Sequence, residues 1–222
     1  MAVSDALKEI IVREASVPSD KVYVLPNATD AVRFDPDRVR PERIGQGLVV
    51  GFCGYLARWC GLDDLIEAIS LTRNTGPHIT VVVAGDGPAA PYFRTLAAER
   101  DVSSLVHFIG PVDWARIPAL LAGVDVAYSG QKPMAIGSMY HSPQKLYEYQ
   151  SMQLPVIASD YPDANALVHG SGRPLGWIFP PGDVASLAQI LSDLPPKGEL
   201  AKLGQLARLS IMTHHTLSLI HI

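Results

Sequence analysis

The feature that most constrains the fold of this chain is a regular alternation of short apolar runs with amphipathic, helix-like segments. Several apolar runs are continuous, which is typical of strands buried on both faces. Strands are predicted at residues 22–25, 48–53, 79–84, 106–109, 124–128, 155–158 and 177–179. Helices are predicted at residues 4–15, 62–72, 89–100, 114–122, 143–153, 163–168 and 184–193. Because strand and helix alternate between residues 48 and 193, we expect an α/β fold with a doubly wound, mostly parallel, Rossmann-like sheet.

The chain divides into three predicted parts. Residues 1–47 form an entry helix, a strand and a linker, since residues 33–47 (RFDPDRVRPERIGQG) are polar and interrupted by proline. Residues 48–193 form the Rossmann-like domain, and residues 194–222 form a helical tail.

The composition argues against several classes of protein. The net charge of −4 gives no indication of general nucleic-acid binding. No apolar run reaches the roughly 20 residues that span a membrane, and the acidic, amphipathic first residues do not resemble a signal peptide. The cysteines, Cys53 and Cys60, have no matching Cys or His pair for a zinc site. We therefore predict no metal and expect a reducing, cytoplasmic setting.

The segments that follow the predicted strands are the candidates for a binding site, because ligands of open α/β sheets bind beyond the carboxyl ends of the strands. These segments read GYLARWCG, GDGPAA, GPVDW and SGQKPMAIGSMYHSPQK. Their glycines, which include Gly54, Gly87 and Gly110, allow a ligand to approach the backbone closely. The helices behind them offer N–H groups to an anion such as phosphate.

The segment GDGPAA matches the loose dinucleotide pattern G-x-G-x-x-A. A NAD site also needs an acidic residue about 20 residues later, at the end of the next strand. That strand reads VHFIG and ends without an acid, which argues against NAD. The alternative is a tight turn in which Asp86 caps the next helix and Pro88 lies in its first turn.

Three charged side chains stand where they could meet a ligand. Arg58, just before a predicted helix, is either a pyrophosphate clamp or an exposed loop arginine. Lys145 and Glu148 lie three residues apart in a helix that Ser142 can cap and that has Pro143 at its first position. They are either a surface ion pair or ligand groups, with the lysine near phosphate and the carboxylate near sugar hydroxyls. Their apolar and aromatic neighbours favour the ligand interpretation.

Two further residues have alternatives that stay open. His141 is either a general acid or base or a polar surface group. Asp160 either caps the following helix or faces the ligand cleft.

Four phrases, in this order, resemble the carboxy-terminal domain of the GT-B-fold glycosyltransferases of family 4, also called group 1. PNATDAVRF resembles the family's phrase at the domain entry, PNG followed by a hydrophobic residue and Asp. GFCGYLARWCGLDDLIEAI resembles its strand, phosphate loop and helix, and VVVAGDGPAAPYFRTLAAERDVSSLVHFIGPV resembles its central unit. SPQKLYEYQSMQLPVIASD resembles its SP-x-KL-aromatic-EY phrase. Together the phrases cover roughly residues 3–193.

The resemblance implies one half of a GT-B fold with a nucleotide-sugar donor site. By this likeness Glu148 would hold the ribose hydroxyls, and Arg58 and Lys145 would face the diphosphate. The backbone near Gly110 and Val112 would hold the base. The helix behind the last loop would aim its positive end at the phosphates. The remaining residues expected at the site are Gly54, Asp86, Gly87, Pro143 and Gln144.

This chain departs from the family pattern at three places. Where the family often has Arg after the loop glycine and Lys before the next glycine, this chain has Tyr55 and Cys60, and Arg58 is the candidate substitute. Where many members have a Glu eight residues before the ribose Glu, this chain has Tyr140. By comparison with the family, the first, acceptor-binding domain is missing and the tail LSIMTHHTLSLIHI reads as truncated or altered, so a fragment is expected.

The expected function is therefore that of the donor-binding domain of a retaining glycosyltransferase. The parent enzyme would transfer sugar from a UDP- or GDP-sugar to a glycan, lipid or small-molecule acceptor, without a cofactor. The acceptor would bind through the amino-terminal domain, and the full enzyme would associate peripherally with a membrane. One alternative is a nucleotide-sugar binding module without catalysis of its own. Another is an oxidoreductase or epimerase, against which the absent ribose acid argues.

Overall fold

The computed structural model describes residues 1–133, 142–169 and 172–217. The strands are β1 (Leu48–Cys53), β2 (Ile79–Ala84), β3 (Val106–Gly110), β4 (Val126–Ser129), β5 (Val156–Ser159) and β6 (Gly176–Phe179). The helices are α1 (Asp5–Ala15), α2 (Leu62–Thr72), α3 (Ala90–Glu99), α4 (Ile117–Ala122), α5 (Gln144–Ser151), α6 (Pro162–His169), α7 (Val184–Ser192) and α8 (Lys197–His214). Short 3₁₀ turns lie at Ser19–Lys21, Pro36–Arg38, Arg58–Cys60 and Trp114–Arg116.

Within the described ranges the strands form one sheet in the order β3-β2-β1-β4-β5-β6, and every neighbouring pair is parallel. The central strands are covered on both faces, since all six residues of β2 and all four of β4 and β5 are buried. Continuous apolar runs therefore became parallel strands covered on both sides. The predicted doubly wound α/β fold is confirmed.

Helices cover both faces of the sheet. On one face α2, α3 and α7 share a core with side chains from all six strands, and the helices contribute Ile66, Phe93 and Leu191 to it. On the other face α4, α5 and α6 pack against β4 and β5, with Tyr149 and Val168 in this core. Helix α8 contributes its first turn to the former core and its later turns to the latter. This arrangement directs the carboxyl ends of all strands toward one edge of the molecule.

The strand predicted at residues 22–25 is wrong. The segment has only an isolated bridge, between Ala2 and Val24, and its backbone bonds across that bridge involve Ala2 alone. Ala2 offers one backbone amide and one carbonyl, which are too few hydrogen-bonding partners for a ladder. Residues 22–25 therefore lie outside the sheet.

Other elements differ from the prediction at their ends. The helix predicted at residues 114–122 begins as a 3₁₀ turn, and α4 starts only at Ile117, with Pro118 in its first turn. The following strand starts at Val126 rather than at Val124, because the amide of Val124 still donates to Leu121 in the turn that closes α4. In the described ranges no helix is both long and apolar enough to cross a bilayer.

Candidate functional site

The order of the strands reverses between β1 and β4, which is the topological point where open α/β sheets bind ligands. Strand β1 pairs with β2 along all six residues, but with β4 only at Val50 and Gly51. Beyond Gly51 the two strands diverge. The β1 loop (residues 54–61) and the first turn of α5 border this part of the edge, so they are the first place to look for a ligand site.

Backbone hydrogen bonds join the loops that follow β1, β2 and β3. The amide of Gly54 donates to the carbonyl of Ala84 at 2.9 Å, and the amide of Gly85 donates to the carbonyl of Gly110 at 2.8 Å. Gly85 has a φ of 127°, and a β-carbon there would collide with the carbonyl of Gly54. The three predicted loops thus form one continuous edge that contains Gly54 and Gly110.

The β2 loop (residues 85–89) explains the glycines of the GDGPAA segment. A β-carbon on Gly87 would stand 2.5 Å from the carbonyl oxygen of Leu56, so this glycine admits the β1 loop. The amide of Leu56 donates to the carbonyl of Asp86 at 3.0 Å, and the carbonyl of Leu56 accepts from Ala89 at 3.0 Å. The glycine pattern of this segment therefore allows the β1 and β2 loops to pack closely together.

Asp86 does not cap the following helix, which corrects the expectation above. Its exposed carboxylate accepts from the neighbouring amide of Gly87 at 2.8 Å. Helix α3 begins at Ala90, its cap is Ala89 without a side-chain hydrogen bond, and its first turn contains Pro91 rather than Pro88. The predicted tight turn is present, but it closes before the helix starts.

Lys145 lies at the centre of this edge. Its Nζ is 4.2 Å from the centroid of the Phe52 ring, and a β-carbon on Gly54 would stand 3.1 Å from it. The side chain is half-buried. Burial lowers its pKa, and negative charge on Cys60, Cys53 or Glu148 would act against that shift. Among the residues that the structure describes, no carboxylate forms an ion pair with it.

The thiol of Cys53 does not supply an anion to this lysine. Burial raises its pKa to about 11, against a smaller opposing effect of Lys145, so the thiol stays protonated at neutral pH. Cys60 is also buried, and burial raises its pKa. The ammonium of Lys145 is thus placed among neutral sulfurs, an aromatic ring and a glycine.

Glu148 lies one turn after Lys145 and is also half-buried. Burial raises the pKa of its carboxyl to about 7, and the charge of Lys145 reduces that shift. The two side chains form no salt bridge within 4.0 Å in the described part of the chain, so the surface ion pair considered above is not present. A carboxyl with a pKa shifted toward neutrality, on a helix beside the strand-order reversal, is typical of a functional group.

The first turn of α5 differs from the prediction. The helix begins at Gln144, and its cap residue, Pro143, makes no side-chain hydrogen bond to it. Ser142 does not cap it, because its hydroxyl contacts the phenol of Tyr147 at 3.0 Å. The exposed Gln144 donates to the carbonyl of Ala28 at 2.6 Å, which ties the helix start to the entry segment.

Arg58 lies in the 3₁₀ turn of the β1 loop and is exposed. Its guanidinium lies 3.4 Å above the ring centroid of Tyr92, from the first turn of α3. Such stacking leaves the edge N–H groups of a guanidinium open to an anion. The structure thus places Arg58 on the same edge as Lys145, beside the β2 loop.

The predicted base-binding residues lie at the end of β3. Gly110 has a φ of 78°, and apart from its chain neighbours no heavy atom of the described residues lies within 4 Å of the position that a β-carbon would take. Val112 is half-buried in the segment that follows. An open glycine at the rim of the sheet leaves the backbone here accessible.

A second lysine at this edge was not found from the sequence. Lys132 follows β4, and its Nζ lies 2.8 Å from carboxylate oxygens of both Asp63 and Asp64 in the first turn of α2. Burial raises the pKa of Asp64, and Lys132 reduces that shift. The partners are far apart in the chain, so only the fold brings them together. Since its charge is matched, Lys132 is a structural group.

The remaining sequence-based candidates have simpler outcomes. Tyr140 and His141 lie outside the described residues. Asp160 is exposed, and its carboxylate accepts from the amide group of Asn165 in α6 at 2.9 Å. The carboxylate of Asp160 thus bonds a side chain of α6.

Comparison with known proteins identifies relatives of this chain. The family model described as "Glycosyl transferases group 1" matches residues 47–195. The amylovoran biosynthesis glycosyltransferase AmsK of Erwinia amylovora is 28% identical over 174 residues, which is 78% of this chain and 42% of that protein. Alpha-D-kanosaminyltransferase of Streptomyces kanamyceticus is 25% identical over 207 residues, which is 90% of this chain and 52% of that protein. The chain thus spans about half the length of these relatives.

Solved structures show the same fold. The crystal structure of Alr3699/HepE from Anabaena in complex with UDP and glucose matches with a TM-score of 0.79 and 19% identity. The match covers 99% of this chain and 59% of that one.

Proposed function

Because the chain belongs to the group 1 glycosyltransferases, we propose that the edge around Lys145 and Glu148 binds a nucleotide diphosphate sugar for glycosyl transfer. The observation that carries the proposal is the setting of Lys145. Its half-buried ammonium lies over Phe52 and against Gly54 at the strand-order reversal, with no carboxylate partner among the described residues. A buried cation without an anion is costly, and a bound diphosphate would supply the anion.

Each part of the donor has a candidate partner. The diphosphate would contact Lys145, the open first turn of α5 and the free edge of the Arg58 guanidinium. The ribose hydroxyls would donate to the carboxylate of Glu148. The backbone near Gly110 and Val112 would hold the base, with Gly54, Asp86 and Gly87 lining the edge between them.

The chemistry of transfer would depend on stabilising the departing diphosphate. As the bond between the sugar C1 and the phosphate oxygen breaks, negative charge grows on that oxygen. Lys145 and the N–H groups at the start of α5 are oriented before the reaction, which makes such stabilisation effective. We propose a retaining course, with the acceptor oxygen attacking on the face that the diphosphate leaves. No metal or cofactor enters this scheme.

The Anabaena HepE structure is a complex with UDP and glucose. This favours a UDP-sugar as the first donor to test. The acceptor would be a glycan, a lipid or a small molecule, bound with the help of a second domain, and a peripheral membrane location of the whole enzyme is compatible with a lipid acceptor.

The second candidate is a nucleotide-sugar binding module that performs no transfer by itself. It uses the same site, because holding the donor requires only the groups on this edge of the sheet. The two candidates separate when a separately produced amino-terminal domain of a relative is added, since only the first predicts that sugar transfer then occurs.

The proposal is tested by calorimetric titration of the chain with UDP-glucose, GDP-mannose, UDP and GDP, with NAD as a negative control. We expect one nucleotide series to bind and Glu148→Ala to weaken it by about tenfold or more. The control is Glu9→Ala, on the exposed side of α1. A folded wild-type chain that binds none of the four nucleotides would contradict the proposal.

A further inference from the structure

At the reversal point, β1 has backbone groups that no strand can satisfy. Alternate residues of β1 face β4, beginning with Val49, whose carbonyl accepts from Asp125 at 2.9 Å. Gly51 is the last residue of β1 in register with β4. Cys53 is the next residue on that side, and β4 has already diverged there. Buried backbone groups without partners are costly, so another group must serve the amide and carbonyl of Cys53.

The hydroxyl of Tyr149 fills this place. The amide of Cys53 donates to the Tyr149 oxygen at 2.8 Å, and the hydroxyl donates to the carbonyl of Cys53 at 3.1 Å. A phenol can accept and donate at once, so one atom replaces a missing strand residue. Tyr149 is completely buried, and it therefore fixes α5 against the end of β1.

The two elements joined in this way carry the two sides of the proposed donor site. Tyr149 is one turn after Lys145 and adjacent to Glu148 on α5, and Cys53 directly precedes Gly54. We propose that Tyr149 is a positioning residue for donor binding, which sets Lys145 against Gly54 through its two hydrogen bonds to Cys53. This inference rests on the proposed function.

The simpler alternative is that Tyr149 only stabilises the fold. Ser151 offers a matched control for that role, because it lies on the same helix, is buried, and donates to the carbonyl of Phe34 at 2.7 Å. Its position is two residues further from Lys145 along the helix. Removing the hydroxyl of either Tyr149 or Ser151 deletes buried hydrogen bonds, but only the removal from Tyr149 would loosen the contact between α5 and β1.

The test compares Tyr149→Phe, Ser151→Ala, Lys145→Ala and the double variant Tyr149→Phe/Lys145→Ala. UDP affinity is measured by calorimetry at a temperature where circular dichroism shows every variant folded. We expect both hydroxyl deletions to lower the melting temperature. Of the two hydroxyl deletions, only Tyr149→Phe should weaken UDP binding, by about fivefold or more. Because Tyr149 acts through Lys145, the same change should weaken UDP binding much less when Lys145 is already alanine.

A second readout needs no ligand. Lys145 lies over the Phe52 ring, so ring currents displace the NMR signals of its ε-methylene group, and Lys145→Ala identifies those signals. We expect Tyr149→Phe to move them and Ser151→Ala to leave them in place. A Tyr149→Phe variant with wild-type UDP affinity and an unmoved Lys145 signal would overturn the inference. Failure of the wild-type chain to bind any nucleotide would overturn the proposed function instead.

Discussion

At the scale of single residues, Lys145 and Glu148 share one property. Each is half-buried one turn from the other, and each has its pKa moved toward the uncharged form by burial. Neither forms a salt bridge with the other within the described chain. Their charges are thus left for a third group to satisfy. In the proposed function that group is the donor, with an anion for the lysine and hydroxyl donors for the carboxylate.

The titration of Glu148 predicts a pH dependence of donor binding. Its pKa of about 7 lies above the ordinary value of 4.5, so the carboxylate form, which in the proposed function would accept from ribose hydroxyls, is gained as pH rises through 7. We expect the affinity for UDP-glucose to rise about tenfold between pH 6 and pH 8 and to stay flat in Glu148→Gln. UDP-glucose is chosen because its diphosphate does not titrate in this range. A wild-type affinity independent of pH would contradict this assignment.

The two lysines at the edge predict opposite phenotypes. Lys132→Met leaves Asp63 and Asp64 without their cation, so we expect a loss of at least about 2 kcal/mol in the free energy of unfolding. Lys145→Met removes a buried ammonium, so we expect unchanged or greater stability but at least about tenfold weaker UDP binding. Urea unfolding and calorimetry on both variants make the comparison. Equal destabilisation by the two changes would mean that Lys145 is structural too.

At the scale of elements, the continuous apolar runs were enough to predict β1 and β2 to the residue, and the other four strands to within two residues. Burial on both faces leaves little freedom in where such a strand lies. Helix starts were predicted less well. Ser142 and Asp86 are both of residue types that often cap helices. The hydroxyl of Ser142 instead bonds the phenol of Tyr147, which the fold brings near, and the carboxylate of Asp86 accepts from the adjacent amide of Gly87. Local preference is overridden where a nearer partner exists.

The contact between the β1 and β2 loops predicts an asymmetry between two glycines. Gly87→Ala would press a methyl group against the backbone oxygen of Leu56, so we expect a loss of about 1–3 kcal/mol in the free energy of unfolding. Gly198→Ala, in the first turn of α8, meets no atom within 4 Å, so we expect a gain of about 0.5–1 kcal/mol. Chemical denaturation measures both. If Gly87→Ala left the free energy of unfolding unchanged, the β1 loop would be able to move away from the added methyl group.

At the scale of the whole molecule, two cores on opposite faces of one sheet hold the described part of the chain together, and the proposed site lies at the carboxyl edge of that sheet. The sequence pattern indicated this edge, the loops and the charged residues on them. It could not supply the pairings across the fold, such as Lys132 with Asp63, Arg58 with Tyr92, or Tyr149 with Cys53. Those contacts join residues that are far apart in the chain, and periodicity carries no information about them.

Helix α1 lies outside both cores, and this predicts its dynamics. It has the same length as α2, 11 residues each, but none of its residues is buried, whereas eight residues of α2 are. We expect amides in α1 to exchange with solvent much faster than those in α2, because local opening exposes no apolar core. Hydrogen exchange followed by mass spectrometry compares the two helices directly. Similar protection in both would indicate that another part of the molecule covers α1.

The backbone bonds that join the β1, β2 and β3 loops have a consequence for protein engineering. The amide of Gly54 donates to the carbonyl of Ala84, the amide of Gly85 donates to the carbonyl of Gly110, and Gly87 leaves room for the carbonyl oxygen of Leu56 in the β1 loop. In a chimaera that takes only the β1 loop from a relative, that loop is complementary to the β2 and β3 loops of the relative and not to those of this chain. All three loops should therefore be exchanged together. We expect such an exchange, rather than single substitutions, to transfer donor preference.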